Sequence, residues 1–317
     1  MTGRYPHTSG VYFLGPDLKE APVLKNLKTM PEVFADHGYK TMAAGKIYHT
    51  RDHRFFQAYK PTGGFGPRPP KKISQLHGHP LWDWGIFPDD DNLMPDIKCA
   101  KWAVDQLSQK HDKPFFMGVG FYRPHVPMFA TKKWFDMHPK DKIKLPAVPG
   151  DDLKDLSQYA IDLTNLEHVS PTHEWVTGAR QWEHAVQSYL ASVTFADHCL
   201  GLVLDALEKS EYADNTIIAL FSDHGFHLGE KERWAKRSLW EDGTRVPVVV
   251  AAPGHKAAQK TNRPAELLDI FPTLLELAGL PKDETQEGQS LVPLMKNPDR
   301  EWKHPAITSF GLGNYSI

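Results

Sequence analysis

Residues 216–225 read TIIALFSDHG, and this stretch decides the fold class. Its first six residues are apolar or β-branched, a run typical of a buried strand. A carboxylate and an imidazole, Asp223 and His224, follow directly where that strand should end. Both groups bind divalent cations in proteins, so the stretch predicts a metal-binding pair at the carboxyl end of a strand.

Helical and strand-like segments alternate along the rest of the chain. Apolar residues that recur at helical spacing predict helices, and short continuous apolar runs predict strands. The predicted pairs are helix 31–37 with strand 39–44, helix 95–109 with strand 114–120, helix 182–207 with strand 216–221, and strand 246–251 with helix 266–278. This order predicts an α/β fold in which a mainly parallel central sheet is sandwiched by helices.

The composition is that of an ordinary globular protein. Lys and Arg number 37 against 39 Asp and Glu in 317 residues, so no net field favours nucleic acid as a partner. The sequence predicts no membrane span, because no uninterrupted apolar stretch is long enough, and residues 1–7 lack a signal-peptide pattern. Cys99 and Cys199 are too isolated to indicate a disulfide framework, and we expect both to be buried free thiols in helices.

Three predicted strands are followed by polar residues that suit an anion-binding or metal-binding site. Lys46 and His49 follow the first strand, His125 follows the second, and Asp223 with His224 follows the third. Ligands of open α/β sheets bind beyond the carboxyl ends of the strands. A single lysine or histidine in such a place is usually structural, but their joint placement favours a functional site.

Several of these motifs resemble those of the formylglycine-dependent sulfatases. The matching segments are SDHG at 222–225, LGE at 228–230, WAK at 234–236, GKIYH at 45–49, RPHVP at 123–127, and TGR at 2–4, which is similar to the end of the family signature. The resemblance covers nearly the whole chain. It implies an alkaline-phosphatase-like fold and hydrolysis of sulfate esters, with a sulfated carbohydrate as substrate.

The resemblance also implies roles for individual residues. They are the Ca²⁺ ligands Asp223 and His224, and the catalytic residues Lys46, His49, His125 and Lys236. The two lysines are fixed cations suited to sulfate oxygens. His49 is expected to take a proton from the formylglycine hydroxyls, and His125 is the candidate general acid for the leaving alcohol.

The Cys or Ser that matures to formylglycine, the Arg of the signature and an Asp pair of the family's metal site have no counterpart in this sequence. We expect them upstream of Met1. Residues 1–317 are therefore interpreted as a large N-terminal catalytic domain without its first strand and nucleophile motif, with the smaller C-terminal subdomain largely absent. As such a fragment the chain is expected to be inactive, and the family implies a periplasmic or extracellular location.

Two other functions fit the same residues. A phosphodiesterase or phosphonate monoester hydrolase is one alternative, because tetrahedral oxyanions of phosphorus and sulfur present similar oxygens to a metal and lysines. The other is a non-catalytic remnant that binds sulfated glycans through its basic pocket.

Five residues near these motifs allow two interpretations each. Trp82, Trp84 and Trp134 suit either a sugar subsite or packing over the core, since indole rings serve both. His227 and Glu230 either orient the metal pair or stabilise the loop around it.

Overall fold

The computed structural model of the protein describes residues 1–18, 20–49, 55–76, 78–164, 166 and 169–317. Its strands are β1 Lys40–Gly45, β2 Ala58–Lys60, β3 Trp84–Ile86, β4 Phe115–Gly120, β5 Met128–Ala130, β6 Ile218–Phe221, β7 His227–Leu228, β8 Trp234–Ala235, β9 Val248–Ala251, β10 Thr308–Ser309 and β11 Tyr315–Ser316. Its helices are α1 Pro6–Ser9, α2 Met30–Asp36, α3 Pro95–Leu107, α4 Lys132–Asp136, α5 Gln158–Thr164, α6 His173–Gly178, α7 Trp182–Glu208, α8 Glu241–Thr244, α9 Ile270–Leu277 and α10 Val292–Lys296. Each predicted helix and strand is present close to its predicted bounds.

The main sheet has β1 at its centre, with β2 and β4 as parallel neighbours. Met42 of β1 lies opposite Ala58 on one side and Met117 on the other. Every residue of β1 after Lys40 is buried, as expected for a strand with both faces covered. The predicted parallel sheet is confirmed, and the carboxyl ends of β1 and β4 lie at the same edge.

The strand β6 differs from its prediction. It pairs with β9, and the pair is antiparallel. Leu220 and Phe221 are 40% and 43% exposed, and Val249 of β9 is 55% exposed, whereas the sequence predicted buried strands. Consecutive residues of a strand point to opposite faces, so the exposure of both Leu220 and Phe221 shows that both faces of β6 are partly uncovered. Within the described part of the chain, β9 is the only ladder partner of β6.

Helices from separate apolar clusters cover the main sheet. A capping box starts α2, in which the Glu32 carboxylate accepts the Thr29 backbone N–H at 2.7 Å. Phe34 of α2 packs with Phe271 of α9, and α2 also contacts β1. Helix α3 packs against helix α7, and it also contacts strands β1 and β4. The predicted α/β sandwich is therefore confirmed.

The helix α7 is the longest element. Among the described residues it is the one helix that is long and apolar enough, by length and composition, to cross a bilayer. The sequence predicted no span because no uninterrupted apolar stretch is long enough, and α7 reaches the required length only as a helix that continues past the polar residues in its apolar run. Ala191, Phe195 and Cys199 of α7 are fully buried, and the helix contacts α3, α4, β3 and β5, as the core helix of a folded domain does.

Candidate active site

Lys46 is positioned by a close approach between the ends of β1 and β4. Gly45 has φ +78°, and a Cβ at this residue would lie 2.0 Å from the Gly120 carbonyl oxygen. The Lys46 backbone N–H donates to that same oxygen at 2.8 Å. Only glycine allows this contact, and the chain then turns so that Lys46 extends over the sheet edge.

The turn after β6 carries the candidate metal pair. The Asp223 carboxylate lies 3.6 Å from Lys46 Nζ, which links this turn to the end of β1. The Nδ1–H of His224 donates to the Gly225 carbonyl at 2.7 Å, so Nε2 holds the lone pair. Gly225 packs closely here, because a Cβ would lie 2.0 Å from the Asp242 carbonyl oxygen.

Lys236 contacts the other member of the candidate metal pair, His224. Its Nζ lies 2.8 Å from His224 Nε2, whose lone pair accepts a hydrogen bond from the ammonium group. The preceding residue, Ala235, has φ +74°, a left-handed conformation that L residues with a Cβ rarely adopt. Burial, and then the nearby Lys46, lowers the pKa of Lys236 to about 8.

His125 lies in the same cavity as Asp223 and Lys236. Its Nδ1–H donates to the Val126 carbonyl at 2.6 Å, and its ring lies 5.0 Å from the ring of Phe65. Burial, followed by the charge of Lys236, lowers the pKa of His125 to about 3. The imidazole is therefore neutral at pH 7, with Nε2 available as an acceptor.

His49 lines the same cavity and shares its electrostatic environment. Burial lowers its pKa, and the charges of Lys46 and Lys236 lower it further. For Asp223, burial raises the pKa, but His224 and the two lysines outweigh burial and hold the pKa below its usual value. The site thus combines an ionised carboxylate and two ammonium groups with imidazoles whose pKa values are lowered by burial.

The structure brings all six predicted site residues to one place. Contacts of 2.8 to 3.6 Å join four of them, Lys46, Asp223, His224 and Lys236. His49 and His125 line the same cavity. Two neighbours were missed by the sequence prediction, Phe65 beside His125 and Arg237 next to Lys236. A charged pair, Lys236-Arg237, was the available signal for Arg237, whereas nothing local marks Phe65.

His227 takes the structural role among its two predicted interpretations. It is fully buried, and its Nε2 lies 2.7 Å from Ser238 Oγ. A Cβ at Gly243 would lie 2.6 Å from the same Ser238 oxygen, so the three residues pack tightly. Glu230 likewise stabilises the loop, since its carboxylate accepts the Leu228 backbone N–H at 2.7 Å. His227 therefore anchors the turn that presents Lys236.

The three tryptophans are buried. Trp84 is 0% exposed, and Trp82 and Trp134 are 5% and 8% exposed. The indole N–H of Trp82 donates to the Val169 carbonyl at 2.9 Å. These rings pack in the core, although an edge of Trp82 also lines the cavity.

Neither cysteine is a nucleophile. Both are buried free thiols, as predicted. Burial raises the pKa of Cys99 to about 12 and that of Cys199 still further, so neither forms a thiolate at neutral pH.

The metal-binding groups form an incomplete set. Among the described residues, no cluster of three or more His, Cys, Asp or Glu side chains is arranged to hold a metal ion. Asp223 supplies the carboxylate oxygens that Ca²⁺ prefers, but Lys236 occupies the lone pair of His224 Nε2. The pair alone thus fits only part of a calcium shell.

Several known proteins are similar to this chain in sequence and in fold. The sulfatase family model matches residues 1–280. A sulfatase of Formosa agariphila is 38% identical over 334 residues, which cover all of this chain and 66% of that protein. Iduronate 2-sulfatase of Mus musculus is 30% identical over 331 residues, covering 89% of this chain and 59% of that protein. The chain therefore spans less than two thirds of the length of these relatives.

A solved structure with a different activity shares the fold. The phosphonate monoester hydrolase of Agrobacterium radiobacter superposes with a TM-score of 0.72 at 19% identity, over 96% of this chain and 68% of that one. The alkaline-phosphatase-like α/β fold predicted from the sequence is thus confirmed. The similarity to sulfatases predicted from the motifs is confirmed by the family model and by both relatives.

Proposed function

The chain belongs to the sulfatase family, and on that premise we propose that it carries most of the active site of an enzyme that hydrolyses sulfate esters of carbohydrates. One observation supports this most strongly. Lys46 and Lys236 both lie within 3.6 Å of the Asp223–His224 pair, and Lys236 and this pair line a cavity that also holds His49 and His125. This arrangement suits a tetrahedral anion, because fixed cations face the oxygens on which charge develops.

The histidines suit proton transfer at opposite ends of the ester. We propose that Nε2 of His125 faces the ester oxygen. The negative charge of a bound sulfate raises the pKa of a nearby imidazole, so His125 takes up a proton when substrate binds and donates it to the leaving alcohol. His49 is the proposed acceptor for the proton of the nucleophile. Its pKa, lowered by burial and the lysines, keeps it a free base.

A Ca²⁺ ion is the proposed cofactor. Asp223 is the stronger of the two candidate ligands, because it offers carboxylate oxygens and its side chain is 59% exposed. His224 binds only if Lys236 moves away from Nε2. When bound, the ion supplies positive charge to the sulfate oxygens.

The nucleophile is proposed to come from a segment outside residues 1–317. Formylglycine is the nucleophile that the family resemblance implies, and the two cysteines of this chain are buried with raised pKa values. Relatives that are longer than this chain leave room for such a segment. On this proposal residues 1–317 alone are inactive, and the complete protein is exported to the periplasm or cell exterior.

The role of His125 is tested by leaving-group dependence in a protein extended to include the nucleophile motif. We expect His125→Ala to lower kcat/KM for an alkyl sulfate by about 10²- to 10⁴-fold, the usual contribution of a general acid. For 4-nitrophenyl sulfate, whose leaving group needs no proton, we expect a loss of about tenfold or less. Equal losses for both substrates contradict the acid role.

The fold likeness to a phosphonate monoester hydrolase supports a second candidate function. A phosphodiester, like a sulfate monoester, carries a single negative charge on a tetrahedral centre. Faster turnover of an aryl phosphodiester than of an aryl sulfate by the extended protein favours this alternative. Sulfate release by residues 1–317 themselves, above that of a Lys46→Ala control, contradicts the proposal that this part of the protein is inactive alone.

A further inference from the structure

The turn that follows β4 carries His125 and is fixed to the start of α3. Asp96, in the first turn of α3, is fully buried, and its Oδ1 accepts the backbone N–H groups of Tyr122 and Arg123 at 2.6 and 2.9 Å. The His125 backbone N–H in turn donates to the Tyr122 carbonyl at 2.9 Å. A buried carboxylate that accepts two backbone N–H groups fixes the path of the chain. The backbone that presents His125 is therefore tied to α3.

The side chain of Arg123 connects this turn to a second loop. Arg123 is 3% exposed, and burial lowers its pKa. Its Nε–H donates to the Phe129 carbonyl at 2.9 Å, and its Nη2 donates to the Phe65 carbonyl at 3.3 Å. Burying a guanidinium is costly unless its N–H groups are hydrogen-bonded. Arg123 thus joins the backbone of Phe65 to the segments on either side of His125.

The loop around Phe65 places an aromatic ring against His125. Gly66 has φ +85°, and a Cβ there would lie 2.8 Å from Cδ of Pro95, so the loop packs closely on the start of α3. The half-buried Phe65 ring lies 5.0 Å from the His125 ring, at an interplanar angle of 34°. It also meets the Tyr122 ring edge-on at 5.5 Å. The loop, α3 and the turn after β4 therefore converge on one imidazole.

Two neighbours restrict the rotation of the His125 imidazole. Its Nδ1 lies 2.6 Å from the Val126 carbonyl, which only accepts hydrogen bonds, so this nitrogen carries the proton. Close packing against the Phe65 ring opposes rotation of the imidazole away from that carbonyl.

We infer that Phe65 is a positioning residue for His125. Its ring keeps the imidazole in the Nδ1–H tautomer, with Nε2 left for the ester oxygen, and Arg123 holds the backbone that carries the ring. The catalytic meaning of this inference rests on the proposed function, whereas the tautomer is observed without catalysis.

NMR of residues 1–317 labelled with nitrogen-15 in the histidines tests the inference. At about pH 8 an imidazole of ordinary pKa is neutral, and the His125 signals are identified by their loss in His125→Gln. In the wild type we expect a protonated Nδ1 and an unprotonated Nε2. In Phe65→Leu the two nitrogen shifts should move toward each other, because the released imidazole exchanges between its tautomers. Phe65→Tyr keeps the ring and should keep the wild-type shifts.

A second ring of the same cavity provides the matched control. Phe13 lines the cavity but packs edge-on against Phe310 at 5.7 Å, so Phe13→Leu should leave the His125 shifts unchanged. The signals of the other labelled histidines report whether each variant is folded, and Phe65→Met repeats the test if Phe65→Leu is not. Averaged His125 shifts in the wild type, unchanged shifts in the Phe65 variants, or an equal change in Phe13→Leu overturn the inference.

Kinetics of the extended protein separate the inference from the proposed function. Phe65→Leu should lower kcat for an alkyl sulfate by about 10²-fold with little change in KM, as a small misplacement of a catalytic group does. Its loss for 4-nitrophenyl sulfate should be about tenfold or less. If the tautomer responds to Phe65→Leu but His125→Ala slows both substrates equally, Phe65 still positions His125 and the acid role is wrong. If the tautomer does not respond, the inference fails even when His125→Ala supports the acid role.

Discussion

At the scale of single residues, burial decides the protonation states around the site. His227 illustrates this, because it is 0% exposed and burial lowers its pKa to about 4. Its neutral ring lies 2.7 Å from the Ser238 hydroxyl and anchors the turn that carries Lys236. Protonation of His227 therefore opposes the folded state.

The pH dependence of stability tests this role. The unfolded chain protonates His227 near pH 6.5, whereas the folded protein resists until about pH 4, so the unfolded state binds more protons and stability falls as the pH drops through this window. Across this window, one such group changes the free energy of unfolding by about 3 kcal/mol. Urea unfolding at several pH values measures this effect. Between pH 7 and pH 4, the free energy of unfolding of His227→Gln should fall by about 3 kcal/mol less than that of the wild type.

Met137→Gln provides the control for this comparison, because the Met137 side chain is 60% exposed and the change removes no titrating group. This variant should run parallel to the wild-type curve from pH 7 to 4. If His227→Gln also stays parallel to the wild type from pH 7 to 4, the buried neutral state of His227 is wrong.

At the scale of elements, backbone contacts between glycines position the site. Gly45 lets the end of β1 approach β4, and Gly225 lets the turn after β6 approach the start of α8. The Gly225 N–H donates to the Gly243 carbonyl at 2.9 Å, which joins that turn to the segment following Lys236. These contacts set the distances between elements that are far apart in sequence.

A methyl group at Gly225 should disrupt the backbone contact between the turn after β6 and the start of α8. Because the added Cβ would lie 2.0 Å from a backbone oxygen of Asp242, Gly225→Ala should lower the free energy of unfolding by about 2 kcal/mol or more. Gly178, at the end of α6, has open space around its Cβ position, and Gly178→Ala should change stability by no more than about 1 kcal/mol. Thermal and urea unfolding measure both variants, and similar stabilities for the two contradict the proposed close packing.

At the scale of the whole molecule, the exposed apolar strands are the conspicuous feature. Leu220, Phe221 and Val249 are 40% to 55% exposed on β6 and β9, although strands in α/β folds are usually covered. The chain spans 59% to 66% of the length of its relatives. We propose that a further segment of the protein covers these side chains.

Thiol labelling tests whether a further segment covers these side chains. In residues 1–317, Phe221→Cys should react readily with a maleimide, while the buried Cys99 and Cys199 should not. In the extended protein its reaction should slow by about tenfold or more if the strand is covered, because labelling then requires local opening. Met137→Cys, on a side chain that is 60% exposed, should react equally in both proteins. An unchanged rate for Phe221→Cys contradicts the proposed cover.

Much of this molecule was predictable from local patterns. The apolar period marked α3 and α7, the continuous apolar runs marked β1, β4 and β6, and polar residues after these strands marked the candidate site. Such signals are local, since periodicity and the strand-end rule need only neighbouring residues. They also predicted the antiparallel β9 as a strand, but not its direction.

The sequence alone determined which residue types follow the strands, and through its motifs the family. Only the tertiary structure decided that β6 is partly exposed, that His227 anchors the Lys236 turn and that the tryptophans are core residues. It also decided the protonation states, for example the pKa of His125 at about 3. The physical reason is that burial, Coulomb interactions and hydrogen-bond geometry depend on distances between residues far apart in the chain, which local patterns do not specify.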